Sequence, residues 1–243
     1  MIRTAILVDG GYFRRRMLAY AGSQEPVPAA DTLYKYCMKH LAHDRGECSL
    51  YRVLYYDCPP SEKNVYHPLL KKIVNLKREP LYAWNMAFLN ALRTKRKFAV
   101  RLGKLADEQA VYNLKYEATK ALMKGEKRLE DLTEDDFTLN IKQKGVDTRI
   151  GIDMVSMALK KQVDKIVLIA GDCDFVPAAK FARREGIDIV LDSMGAYVRP
   201  EMSEHIDGLT TFVYSFSKER QGTFSGIHAD KPAPADGQGT VHP

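Results

Sequence analysis

The sequence lacks the features of several protein classes. None of its apolar runs approaches the roughly 20 residues that span a membrane. The first three residues lead directly into an apolar stretch, so we expect no secretory leader and no membrane association. The chain's cysteines, Cys37, Cys48, Cys58 and Cys173, show no C-x-x-C spacing. This spacing argues against a zinc site or disulfide framework and favours reduced thiols, so we expect a cytoplasmic protein.

Three common catalytic motifs are also missing. The patterns G-x-x-x-x-G-K-[ST], G-x-G-x-x-G and H-E-x-x-H do not occur, so the sequence gives no sign of nucleotide hydrolysis, dinucleotide binding or zinc proteolysis. What is present is a 243-residue chain that is 45% hydrophobic, which is enough for a real core. Its net charge of +6 and pI near 9.0 indicate an anionic partner.

Acidic residues follow two apolar stretches that have the composition of buried parallel strands. Residues 166–170 are apolar and are followed by Gly171, Asp172 and Asp174. Residues 6–8 are apolar and run directly into Asp9. Sites in open α/β sheets form at the carboxyl ends of strands. If the two strands are neighbours, these three carboxylates share one pocket.

A fourth acid, Asp147, precedes a helical pattern. Ile150, Met154, Met157 and Ala158 recur at helical spacing and predict one apolar stripe. Asp147 lies three residues before Ile150, so we expect it at the helix start, over the end of the sheet. A carboxylate there also suits a helix N-terminus, where it can cap free amides.

The four acids together predict a metal site. A single Asp after a strand is commonly a turn or cap residue, and the combination is what favours a pocket. Carboxylates that share a pocket repel unless a cation neutralises them, and Mg²⁺ or Mn²⁺ suits an all-oxygen set. Asp153 lies about 120° around the helix from Asp147, so it would act through a water or a second ion.

Three segments carry a family resemblance: ILVDGGYF, KGVDTRIGIDM and LIAGDCDFVPAAKFARREGIDIVL. They resemble the signature segments of the NYN domain, a family similar to the PIN nucleases that includes LabA-like proteins. The resemblance spans most of residues 1–214. It implies an α/β fold with a mostly parallel sheet flanked by helices, and an Asp-bound metal site. Ala170 and Cys173 stand where the family's last turn has serines, which changes no carboxylate.

The expected function is that of a metal-dependent ribonuclease acting on single-stranded RNA. Asp9, Asp147, Asp172 and Asp174 would be the catalytic and metal-binding residues, with Asp153 as a further candidate ligand. Mg²⁺ or Mn²⁺ would activate a water molecule and stabilise the leaving oxygen, so no protein nucleophile is needed. The main alternative is a non-catalytic regulatory module that binds RNA or a protein. A phosphatase is a third alternative, and a homo-oligomer is compatible with each.

A basic region supports nucleic-acid binding. Residues 71–104 contain ten Lys or Arg and one acid, with interleaved aromatic residues. Trp84 follows Pro80 in a stretch that we expect to be a loop, where it can stack on a base. Near Asp9, residues 14–16 are arginines that either hold phosphates or form a solvated helix face. The predicted nucleic-acid contacts are Arg14, Arg15, Trp84, Arg93, Lys95, Arg96, Lys97 and Arg101.

The domain organisation is expected to be simple. Residues 1–216 form one NYN-like domain, and residues 80–143 form a largely helical insertion that covers one side of the site. Residues 209–214 are predicted to be the last strand. Residues 217–243 are rich in Gly and Pro without periodicity, which predicts a disordered tail.

Overall fold

Apolar strands alternate with helices along most of the chain. The computed structural model describes residues 1–43, 47–171 and 174–216. The strands in these ranges are β1 (Ile2–Asp9), β2 (Cys48–Asp57), β3 (Asn64–His67), β4 (Lys72–Asn75), β5 (Phe98–Leu102), β6 (Lys104–Leu105), β7 (Val111–Leu114), β8 (Phe137–Asn140), β9 (Gln143–Lys144), β10 (Lys165–Ile169), β11 (Asp188–Asp192) and β12 (Gly208–Leu209). The α-helices are α1 (Gly10–Ala21), α2 (Pro26–His43), α3 (Pro80–Arg93), α4 (Tyr116–Met123), α5 (Val146–Leu159), α6 (Val176–Arg184) and α7 (Pro200–Ser203). None of the helices in the described ranges is both long and apolar enough to cross a membrane.

Six strands form one parallel sheet in the order β12-β11-β10-β1-β2-β5. The alternation of the β1 side chains explains why both sheet faces are covered. Ile6 and Val8 pack on one side with α1, α2 and α3, whereas Ala5 and Leu7 pack on the other with α5 and α6. A sheet that is buried on both faces needs strands that are apolar throughout. The predicted α/β class with a parallel sheet flanked by helices is therefore confirmed.

The elements that carry the predicted site agree with expectation. The predicted strands are β1 and β10, and the helix that starts near Asp147 is α5. The stripe of Ile150, Met154, Met157 and Ala158 is buried against the sheet, as its helical spacing predicted. These elements were predictable because residues 6–8 and 166–169 are apolar throughout and the α5 stripe recurs at helical spacing.

The loop predicted around Trp84 was wrong. Pro80 is the first residue of α3, a position where its missing amide costs no hydrogen bond. Phe88, Leu89 and Leu92 then bury one face of the helix. The last strand was also predicted too long, since β12 ends at Leu209 and a short 3₁₀ helix, Val213–Phe216, follows.

The residues predicted as an insertion divide into two parts. Residues 80–102 contain α3 and β5, and β5 is the edge strand of the main sheet. Beyond β5, the antiparallel pairs β6–β9 and β7–β8, together with α4, form a small subdomain before α5. The outer bounds of the predicted domain stay a prediction, and the predicted tail, 217–243, lies outside the described residues.

Candidate active site

The sheet has a topological switch point between β1 and β10. The chain passes from β1 through α1 and α2 on one face, and from β10 through α6 on the other. In parallel sheets of this kind, a crevice opens at the carboxyl ends of the two strands. The pairing of Val8 with Ile169 brings Asp9 level with the end of β10. The adjacency that the sequence argument required is therefore present.

Asp9 is both the last residue of β1 and the cap of α1. Its Oδ1 accepts a hydrogen bond of 3.0 Å from the Tyr12 amide. Burial raises the pKa of the Asp9 carboxyl, while the Tyr12 and Gly11 amides and the charges of Arg15 and Arg14 act against this shift. Asp9 is thus a partly buried carboxylate whose charged form gains from a nearby cation.

Tyr12 closes the gap between the ends of β1, β10 and β11. Its hydroxyl donates to the Ser193 carbonyl after β11, and burial raises its pKa to about 12. A Cβ added to Gly171 would lie 2.2 Å from the Tyr12 ring, so only glycine fits there. The first residue of the acidic turn is therefore held against Tyr12, immediately beside Asp9.

The acids of that turn are only partly described. Asp174 is exposed, just before α6, on the carboxyl side of β10. Asp172 and Cys173 lie outside the described residues. The predicted contributions of Asp172 to the site therefore stay predictions.

Asp147 reaches the same edge of the sheet from α5. Gly145 precedes the helix in the left-handed conformation, with φ of 78°, and Asp147 is exposed in the first turn. A Cβ added to Gly103 would lie 3.0 Å from Val146 and 3.1 Å from the Cys58 sulfur, so the start of α5, which carries Asp147, lies near the end of β2. Within residues 1–43, 47–171 and 174–216, no group of three or more His, Cys, Asp or Glu side chains forms a ready metal site. Asp9, Asp147 and Asp174 therefore do not form a ligand cluster by themselves.

The sequence argument missed the packing of Arg14 against Asp57. Asp57 ends β2, is 1% exposed, and receives hydrogen bonds from the Arg14 guanidinium, the Tyr55 hydroxyl at 2.8 Å and the Cys58 amide at 2.8 Å. The Gln143 amide lies 3.5 Å from the Asp57 carboxylate and beside Gly11. The only sequence signal for this cluster was an Asp at another strand end.

The three arginines of α1 have different roles. Arg14 binds Asp57, and Arg16 donates to the Met194 carbonyl at 2.8 Å. Arg15 is exposed, and no described residue forms an ion pair or hydrogen bond with its guanidinium. Because Arg14 is already engaged, Arg15 is the arginine of this turn that is available to a ligand beside Asp9.

Asp153 is engaged within the fold. It accepts a hydrogen bond of 2.8 Å from the Tyr56 hydroxyl and lies 3.3 Å from the Arg101 guanidinium. This places Arg101, the second-last residue of β5, toward the carboxyl edge on the α5 face. The predicted roles of Asp153 in metal binding and Arg101 in nucleic-acid binding stay predictions.

The remaining basic candidates lie elsewhere. They occupy the end of α3 and the turn that enters β5, at the amino edge of the sheet, and they are Arg93, Lys95, Arg96 and Lys97. Lys95 pairs with Asp31, and Lys97 donates to the Leu50 carbonyl. The structure therefore does not bring these residues together with the acids. Trp84 lies in the first half of α3, nearer the carboxyl side.

Comparison with known proteins identifies one family. The model of the NYN domain matches residues 85–213. No curated protein and no solved structure matches the chain significantly. Asp9 and β1 precede the matched residues, and the pairing of β1 with β10 joins them to the matched part. NYN domains are PIN-like nucleases. The match covers more than half of the 243 residues, so the chain belongs to the NYN domain family.

Proposed function

We propose that the protein is a divalent-metal-dependent ribonuclease that acts on single-stranded RNA. The observation that carries the proposal is the position of Asp9. It is a partly buried carboxylate at the switch point of a parallel sheet, in a chain of a nuclease family. Carboxylates at this point have the chemistry that a cation-assisted phosphodiester hydrolysis requires.

The residues present suit a hard cation. Asp9, Asp172, Asp174 and Asp147 would supply the oxygen ligands, and neither nitrogen nor sulfur donors are among them. Burial raises the pKa of Asp9, so a divalent cation would stabilise the carboxylate that burial disfavours. The all-oxygen set fits Mg²⁺ or Mn²⁺ better than zinc.

The chain's own residues would position the substrate. The Tyr12 amide orients the Asp9 carboxylate, and the Tyr12 ring packs closely against Gly171 at the start of the acidic turn. Arg15 is exposed close to Asp9, so it would bind a phosphate of the strand and neutralise charge near the reacting group. A bound cation would supply Lewis-acid activation of the phosphate and of the attacking water.

One feature supports a nucleic acid as the substrate, and a second supports a strand that is unpaired. The chain has a pI near 9.0, which favours a polyanion. Apolar and aromatic side chains lie beside Arg15 at the carboxyl side, and such surfaces accept bases that are not stacked in a duplex.

The test is cleavage of a labelled single-stranded RNA with Mg²⁺, with Mn²⁺ or with EDTA. Wild type should cut only with metal. Asp147→Asn and Asp9→Asn should lose more than the ~10–100-fold typical of an outer-shell change. Asn keeps the shape of Asp and a side-chain oxygen that can accept a hydrogen bond at both positions, and residue 147 is exposed, so both variants should melt close to wild type.

The matched control is Asp188→Asn, an acid at the amino end of β11 on the opposite edge of the same sheet. It should cut RNA like wild type. Wild type that cuts no RNA with either metal would overturn the proposal and favour a binding module instead. Variants at positions 9 and 147 that cut as fast as wild type would overturn the site assignment.

A further inference from the structure

A groove lies between α1 and α3, beside the candidate active site. Its volume is about 450 Å³, within the ~300–1,000 Å³ range of small-ligand sites. Phe13 and Leu18 of α1 form one side, and Leu81 and Trp84 of α3 form the other. Residues 22–24, which belong to the loop between α1 and α2, also line it.

The walls of the groove are apolar and partly open to solvent. Leu18 is 59% exposed and Leu81 is 69% exposed, although each lies within a helix that has a buried face. Both line the same groove, so they are exposed apolar residues on opposite sides of one cavity. Exposed apolar surface of this kind, bordered by polar residues, is typical of a ligand site.

Trp84 is a fixed wall of the groove. Its indole Nε1 donates to the Gln24 carbonyl at 2.9 Å, and its ring stacks on Phe88 with 5.1 Å between centroids and 15° between planes. A side chain held by these two contacts loses little freedom when a ligand binds. Little ordering entropy then opposes binding of a flat apolar ligand.

The groove has positive charge at the end nearest Asp9. Arg14 and Arg15 both line it, and Arg14 is neutralised by Asp57. Asp9 is the cap of α1 and Arg15 lies in the second turn of the same helix, so the guanidinium belongs to the end of the groove nearest that carboxylate. Among the described residues that line the groove, Arg15 is the cation without a described partner. An apolar slot with this cation at one end matches a ligand that has a flat apolar part and one adjacent anionic group.

We propose that this groove is a nucleobase subsite for the RNA strand, with Arg15 on the phosphate that links the bound base to the nucleotide cut at Asp9. This inference rests on the proposed function, since it names where that substrate binds. A base contributes the flat apolar face and its phosphate contributes the charge, so one nucleotide satisfies both features. The groove would thereby favour unpaired strands, because a base within a duplex cannot enter it.

The chain provides a direct probe, because Trp84 is its single tryptophan. We would titrate the protein in EDTA with a single-stranded RNA of about five nucleotides, and with an abasic strand of equal length, while recording tryptophan fluorescence. EDTA prevents metal-dependent cleavage, so the titration reports binding alone.

Two substitutions introduce a negative charge at the rim without opening the core: Leu18→Glu and Leu81→Glu. The matched control is Leu159→Glu, a leucine that is 57% exposed at the end of α5, on the other face of the sheet. Either rim variant serves if the other fails to fold.

We expect saturable quenching by the RNA, and at least about five-fold weaker binding in the rim variants, the lower end for loss of one base stack. The control should bind like wild type, and the abasic strand should quench little. Equal quenching by the abasic strand would overturn the proposal. Rim variants that bind RNA like wild type, or RNA binding without quenching, would do the same.

Parallel cleavage assays with Mn²⁺ separate the two proposals. Base-dependent quenching by an RNA that is not cut would support the subsite and overturn the nuclease. Cleavage without a change in Trp84 fluorescence would overturn the subsite and leave the nuclease standing.

Discussion

The pair of Arg14 and Asp57 leads to a prediction that separates a structural role from a ligand-binding role. Asp57 is 1% exposed, whereas Arg14 is 29% exposed, so the carboxylate is the more deeply buried partner. Arg14→Met keeps much of the side chain's apolar stem and removes its charge. The change leaves the Asp57 carboxylate buried without its cation.

The magnitude follows from the remaining contacts. Removing one partner of a buried ion pair typically costs ~3–5 kcal/mol. Here the Tyr55 hydroxyl and the Cys58 amide still donate to Asp57, each at 2.8 Å. We therefore expect a loss of about 2–3 kcal/mol in the free energy of unfolding, which corresponds to a melting temperature about 4–12 °C lower for a chain of this size.

The assay is urea and thermal unfolding followed by circular dichroism, with Arg15→Met as the matched control. Arg15 is exposed without a described partner, so its loss should change stability by less than ~0.5 kcal/mol and should weaken RNA binding instead. Adding Asp57→Asn to Arg14→Met removes the buried charge and should recover part of the loss. If Arg14→Met is as stable as wild type and only RNA affinity falls, Arg14 is a phosphate contact and the structural argument is refuted.

Three further predictions concern the packing and the charges around the site. Gly171→Ala should lower both stability and cleavage, because its Cβ would lie 2.2 Å from the Tyr12 ring, whereas Gly151→Ala makes only an ordinary 3.7 Å contact and should be tolerated. A fully active and stable Gly171→Ala protein would contradict this. Asp153→Asn should cost ~1–2 kcal/mol of stability through its contacts with Tyr56 and Arg101, and in calorimetry it should weaken Mn²⁺ binding less than Asp9→Asn does, because Asp153 would act through a water or a second ion; a loss as large as that of Asp9→Asn would show that it is a direct ligand. Replacing the four basic residues of the amino edge with Ala should flatten the salt dependence of binding to a strand of about 30 nucleotides, yet leave cleavage of one of about five nucleotides unchanged. Equal losses for both lengths would place that cluster at the site. These residues are Arg93, Lys95, Arg96 and Lys97.

The strands and the helix that carry the acids were predictable because their patterns are local. Residues 6–8 and 166–169 are apolar throughout, and the α5 stripe has one clear period. The adjacency of β1 and β10 was not predictable from these patterns, because the paired residues are about 160 positions apart and strand order is a property of the whole fold. The sequence argument could state this adjacency only as a condition.

The basic residues show why charge density along a sequence does not define a surface. Residues 71–104 cover a hairpin strand, a helix and an edge strand, and they extend from the carboxyl side of the sheet to its amino edge. Helix α3 alone spans about 21 Å. Trp84, in its first half, and Lys97, beyond its end, are therefore near in sequence but lie toward opposite edges of the sheet. In the same way, the run of arginines in α1 gave no sign that Arg14 would pair with Asp57, which is 43 residues away.

The central claim is that a divalent cation binds at the carboxyl ends of β1 and β10. The most direct measurement is a crystal structure of the protein with Mn²⁺, with anomalous scattering used to locate the ion. The account predicts an anomalous peak in contact with the Asp9 carboxylate and with the turn that contains Asp172 and Asp174, and its loss in Asp9→Asn. Saturating Mn²⁺ that gives no peak at this edge, or a peak at another place that persists in Asp9→Asn, would contradict the account.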